Sequence, residues 1–153
     1  MLFLIKFLGL CLIITATTVV GINKSRELSV RVFTLEWYVK ATGLIADRIR
    51  YSGDELTKVL LSLPEHQKYF SISSPFKVEL KNNGLNTDDE NAVQSFFGSI
   101  GLGDTEKQLN ICSLYGKELS IRLDDARKDL SEKSKVFKSL GFFIGLGIAI
   151  ILV

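Results

Sequence analysis

The stretch that most constrains this chain runs from Asp104 to Val153, where a single helical repeat passes from charged surroundings into a run with no charge at all. Leu109, Cys112, Gly116, Leu119, Leu123, Ala126 and Leu130 recur at alternating steps of three and four, which draws one apolar seam along a helix. The seam continues through Phe137 and Leu140, and the fourteen residues from Leu140 to Val153 are all uncharged. A helix that starts as an amphipathic packing element is therefore expected to end as a membrane segment. Those fourteen residues reach about 21 Å as a helix. Lys138 can lift its ammonium to the interface, so that Val136 and Phe137 lengthen the apolar run. The rival reading of so short a run is a buried core helix. Gly141 and Gly145 stand at the spacing that lets two membrane helices approach closely, which raises the expectation of a dimer face.

The other end mirrors this one. Met1 to Ile22 carries a single charge, Lys6, and is long enough as a helix to cross a hydrocarbon core of roughly 30 Å. A cleaved signal peptide is the alternative, with one early lysine, an apolar core and the small residues Thr15 to Thr18. Lys24, Arg26 and Arg31 follow the first run, and Lys133, Lys135 and Lys138 precede the second. The basic inner flanks place the middle of the chain on the cytoplasmic side. Three parts result: a transmembrane helix over 1–22, a cytoplasmic helical domain over 23–137 and a transmembrane segment over 138–153. A net charge of +2 on 153 residues gives no footing for nucleic acid as a partner. The two cysteines, Cys11 and Cys112, fall in different environments and do not form a disulfide framework.

Within the middle domain, Glu27 to Tyr51 reads as a long helix on Leu28, Val32, Leu35, Val39, Ala46 and Ile49. This helix and the returning one each carry a narrow seam, and packing antiparallel satisfies both. Phe33, Trp37 and Tyr38 lie off the seam and are expected to pack under shorter helices. Ser52 with Glu55, Thr87 with Glu90, and Thr105 with Gln108 read as helix-start boxes. Ser74 and Pro75 open a further segment ending at Gly84, with Phe76 to Lys81 ambiguous between helix and strand. Ala92, Val93, Phe96, Phe97 and Ile100 form one buried face, after which Gly98, Gly101 and Gly103 break the chain. The fold class expected is all-α: a bundle on two long antiparallel helices with a transmembrane helix at each end.

Catalytic chemistry finds no footing in these residues. His66 is the only histidine and reads as a surface residue, which leaves no triad and no histidine metal cluster. The glycines from Gly98 to Gly103 lack the strand, the Lys-Ser/Thr and the order that a phosphate loop needs, so they read as an interhelical turn. Asp88, Asp89 and Glu90 sit at an expected helix start, where carboxylates complement the macrodipole. No catalytic residue, no cofactor, no metal and no small-molecule substrate is expected.

Phe97-Gly98-Ser99-Ile100-Gly101, followed by Asp104 and Gln108, resembles the F-G-x-x-L-G-x-x-D-x-x-x-Q signature of the stage III sporulation protein AB family. Lys135-Val136-Phe137-Lys138-Ser139-Leu140-Gly141 is similar to its K-x-Y-R-S-L-G terminus. Ile100 stands for leucine, Phe137 for tyrosine and Arg48 for an acidic residue of the pattern, and the stretch from Ser71 to Asn86 is shorter. The resemblance implies a subunit of the channel-like complex between mother cell and forespore. Its soluble domain would resemble the helical domains of type II secretion platform proteins and dock an ATPase, stage III sporulation protein AA, beside other membrane subunits at the mother-cell membrane. On that resemblance Gly98, Gly101, Asp104 and Gln108 set the turn and start of the return helix, and Lys138, Ser139 and Gly141 set its membrane entry. The alternative from another class is an extracytoplasmic binding or sensor domain on a membrane tether.

Overall fold

A computed structural model describes residues 2–53, 55–73, 77–81 and 84–152. Two long helices dominate, α1 (Leu2–Tyr51) and α5 (Thr105–Leu152). Between them lie α2 (Leu56–Leu61), α3 (His66–Tyr69), β1 (Phe70–Ser73), β2 (Lys77–Leu80) and α4 (Thr87–Ser99). The chain divides into two compact units, one of Met1–Ser29 with Ala126–Val153 and one of Val30–Asp125. The helix expected from Glu27 is thus no separate element. No proline interrupts residues 20–27, Gly21 is packed against Phe137 and Gly141 of α5, and Lys24 pairs with Glu27 one turn on, so α1 runs through.

In the unit Val30–Asp125 the long helices run antiparallel, with Thr42 opposite Gly116, where an added Cβ would lie 3.2 Å from the Thr42 hydroxyl. The seams hold. Val32, Leu35, Cys112, Leu119 and Leu123 are buried, while Val39, Ala46, Ile49 and Leu109 are half-buried. Helix α4 closes the core with Ala92, Val93, Phe96, Phe97 and the following Ile100. Its start differs by one residue from the expected box. Asn86, not Thr87, is the cap: its side chain accepts from the Asp89 N–H at 2.8 Å, and Asp89 reaches back to the Asn86 N–H. Ser52 likewise does not start α2. Its hydroxyl donates to Arg48 O at 2.8 Å and finishes α1, while Glu55 stands at the start of α2 without a side-chain cap.

The segment after Pro75 left open between helix and strand is a strand over Lys77–Leu80, so the all-α expectation gives way to a mainly helical fold with one small antiparallel strand pair. Ser74 and Pro75 lie outside the described residues. Phe70 pairs with Leu80 and Ile72 with Val78, which sets four apolar side chains on one face. Four residues of alternation are too few to outweigh a proline start signal in sequence, but Tyr69 gives the hairpin its foundation. Lys81 N–H and the Tyr38 hydroxyl both donate to Tyr69 O, at 3.0 and 3.1 Å. Trp37 stacks on the Tyr69 ring at 4.1 Å between centroids and donates from Nε1 to Pro64 O at 2.9 Å. Trp37 and Tyr38 therefore pack under the connecting segments as expected. Phe33 does not; it is 66% exposed.

In the unit Met1–Ser29 with Ala126–Val153, the two helices again run antiparallel. Ser25 and Ser134 share a hydrogen bond at 2.5 Å. A Cβ on Gly141 would meet Thr17 O at 2.7 Å and Gly21 Cα at 3.3 Å, and one on Gly145 would meet Ile14 Cα at 2.9 Å. Only glycine permits so close an approach of backbones. The glycine face expected to seek a second copy is filled by the chain's own first helix. Leu12, Val20, Leu140, Phe143 and Ile150 remain exposed on the outside of this pair. Among the described residues no helix is long and apolar enough to cross a membrane, and the outermost side chains, 1–7 and 151–153, lie outside that set.

Candidate interaction site

The residues of the first motif come together at the α4–α5 turn, while those of the second lie in the other unit. Gly101 has φ +90°, so its backbone conformation demands glycine, and a Cβ there would push aside the Leu56 Cδ2 methyl that stands 2.8 Å away. Asp104 caps α5: its Oδ1 accepts from Lys107 N–H at 2.9 Å, and Gln108 Nε2 donates back to Gly103 O at 3.2 Å. The cap is thus Asp104 and not Thr105, because the left-handed Gly103 before it turns the carboxylate onto the first helical N–H groups. Gly98 is no breaker. It lies inside α4, with nothing within 4 Å of an added Cβ, and lines a notch of about 370 Å³ with Leu56, Phe97, Ile100 and Leu102. Of the second motif, Lys138 and Ser139 are exposed and Gly141 makes the close contact with α1 already described.

Replacing Gly101 by alanine is expected to cost about 2 kcal/mol from the left-handed backbone and the Leu56 clash. Gly98→Ala should stabilise α4 by up to about 1 kcal/mol. Thermal unfolding of the two full-length variants, followed by circular dichroism, should shift in opposite directions.

The most polar feature of the Val30–Asp125 unit is one that the run of carboxylates in sequence hides. Asp89 is fully buried. Arg31 grips it side-on, Nε to Oδ2 at 2.7 Å and Nη2 to Oδ1 at 3.2 Å, and Arg122 Nη1 stands 3.7 Å from Oδ1. Arg122 also meets Glu118 at 3.0 Å. One carboxylate from α4 therefore ties α1 to α5, with two guanidinium groups sharing a buried negative charge. Asp88, exposed, and Glu90, half-buried, keep the role expected of all three acids at the start of the helix.

A groove of about 660 Å³ runs between α1 and α5, lined by Val39, Gly43, Ala46, Cys112 and Gly116 among others. Burial pushes the Cys112 thiol from its ordinary 9.0 up to about 11. Alkylation of native Cys112 by iodoacetamide near pH 8 should be about a hundredfold slower than that of an ordinary thiol. The unfolded chain releases this proton first, so stability should fall as pH rises from 9.0 towards 11 and be untouched below that window. A urea titration at several alkaline pH values, with Cys112→Ala as control, checks the sign.

His66 is half-buried, its Nδ1 at 3.0 Å from Leu63 O and its ring near Phe70, which accounts for it as a packing residue. Burial raises the Tyr38 phenol far above its ordinary value, so it stays a hydrogen-bond donor. Among the described residues no group of three or more His, Cys, Asp or Glu side chains could hold a metal ion.

A comparison with curated proteins and one with solved structures returned no match. The family model described as stage III sporulation protein AB matches residues 6–77 and 69–153, together nearly the whole chain. With the motif residues now seen building the α4–α5 turn and the Gly141 contact, the chain belongs to the stage III sporulation protein AB family and is a sporulation-related protein.

Proposed function

We propose that this sporulation protein is a non-enzymatic, membrane-anchored adaptor, whose paired apolar ends enter a bilayer and whose Val30–Asp125 unit docks a cytoplasmic ATPase of the stage III sporulation protein AA kind. The observation that carries the reading is the inside-out character of the end unit. Glycines make the helix contact while leucine, valine, isoleucine and phenylalanine face outward. That is the arrangement of helices packed in lipid, where association relies on close backbone approach rather than on burying apolar side chains. The polar groups fit the same setting, since Thr15, Thr17 and Thr18 donate their hydroxyls to carbonyls of their own helix. The helical unit is braced by a buried ion cluster and rigid turns, as befits a part that transmits or scaffolds.

Anchorage is tested by alkaline extraction of membranes carrying the full-length chain, which should retain it. Orientation is tested by labelling a single cysteine placed at exposed Lys117; labelling from outside intact cells would reverse the topology and favour the extracytoplasmic binding domain. Docking is tested by co-purifying the full-length chain with the ATPase, and absence of a complex would sink that part of the proposal.

A further inference from the structure

The end unit holds more than a helix contact. A groove of about 230 Å³ opens along one side of the α1–α5 pair. Gly21 and Gly141 form its floor, and Val20, Leu140 and Ile144 stand among its apolar walls. Its only charged lining residue is Lys24, at the end near the Ser25–Ser134 bond. The antiparallel register set by that bond brings Arg26, Lys133, Lys135 and Lys138 to the same end of the pair. Lys133 is already bridged to Asp129 at 2.5 Å and Glu132 stands beside it, so over residues 22–27 and 129–139 five cations face three acids and this end keeps an excess of two positive charges.

We propose that this groove holds one anionic phospholipid, an acyl chain lying against Gly21 and Gly141 and the phosphate meeting Lys24. The site rests on the membrane reading of the end unit. Its shape matches an amphiphile, oily along its length and cationic at one end, and the surrounding surface is itself apolar, so lipid is the molecule at hand to fill it. The cationic collar selects for negative headgroups. Lys24 is bridged to Glu27 at 2.6 Å, but both side chains are more than half exposed, so the bridge yields readily to a phosphate. Glu27 then acts as a brake on the site, repelling the headgroup that Lys24 attracts.

Native mass spectrometry of the full-length chain, released from micelles doped with equal phosphatidylglycerol and phosphatidylcholine, should show one retained phosphatidylglycerol. Lys24→Gln should reduce that retention about fivefold, the worth of one cation at an anionic surface. Glu27→Gln should increase it. Both substitutions break the same bridge, so a merely structural role for it would move them the same way. Ile144→Trp fills the groove without touching the collar and should abolish retention, with helicity by circular dichroism unchanged. Equal retention of both lipids, parallel effects of Lys24→Gln and Glu27→Gln, retention surviving Ile144→Trp, or a lipid-free dimer would each overturn the site. Vesicle flotation separates the two levels. A chain that floats with phosphatidylcholine yet shows no headgroup preference loses only this site, whereas one that floats with neither lipid loses the membrane anchorage as well.

Discussion

Asp89→Ala is expected to cost about 4 kcal/mol and to lower the melting temperature of the full-length chain by ~15 °C. The alanine removes the one acceptor that Arg31 and Arg122 share, while Arg31 keeps only 14% of its side chain exposed. The mostly covered Arg31 guanidinium loses the carboxylate that balances its charge, and the same change deletes half of the capping box at the start of α4. Asp89→Asn should lie between, since the amide can still accept one hydrogen bond but no longer balances the charge. The informative control is Asp89→Leu with Arg31→Met and Arg122→Met, which removes the whole cluster and should recover most of the loss. Thermal melts of the four chains decide it. If Asp89→Ala melts within a degree or two of the parent, the cluster does not hold α4 to the long helices.

The second large effect is expected at Gly141. Leucine there would drive its Cβ to 2.7 Å from Thr17 O and to 3.3 Å from Gly21 Cα, and both neighbours are backbone atoms that no rotamer change can move. The helices must part, at a cost of about 3 kcal/mol, the upper end of what overpacking exacts. Ser25→Cys with Ser134→Cys, in a chain with Cys11→Ser and Cys112→Ser, gives the readout, because the two hydroxyls touch at 2.5 Å. Oxidation should crosslink these cysteines within one chain efficiently, and Gly141→Leu should suppress it strongly. Crosslinks between chains in place of the internal one would restore the dimer face that the glycine spacing suggests in sequence.

Both positions show how far the residues could be read before folding. Gly141 and Gly145 announce a close helix contact, and that contact exists; sequence spacing cannot say whether the partner helix belongs to the same chain. The partner was decided by the antiparallel course of α1 and α5, which brings Gly21 opposite Gly141. Asp89 carries its own signal in the sequence. It precedes Ala92, Val93, Phe96 and Ile100 at helical spacing and so belongs to the buried face of α4, just as Arg31 and Arg122 interrupt the seams of α1 and α5. Three charges on three apolar stripes mark a buried cluster.

Sequence alone determined the return helix, the two antiparallel seams and the α4–α5 turn at Gly101, because each follows from local periodicity or from a backbone conformation only glycine tolerates, and its motifs carried the family. Tertiary structure decided the rest. Phe70–Ser73 and Lys77–Leu80 pair as strands because Tyr69 O collects Lys81 and Tyr38, contacts made across the chain that outweigh weak local preference. Which glycines meet, and which acid is buried, depended on distances between residues far apart in the chain, and no local pattern carries those.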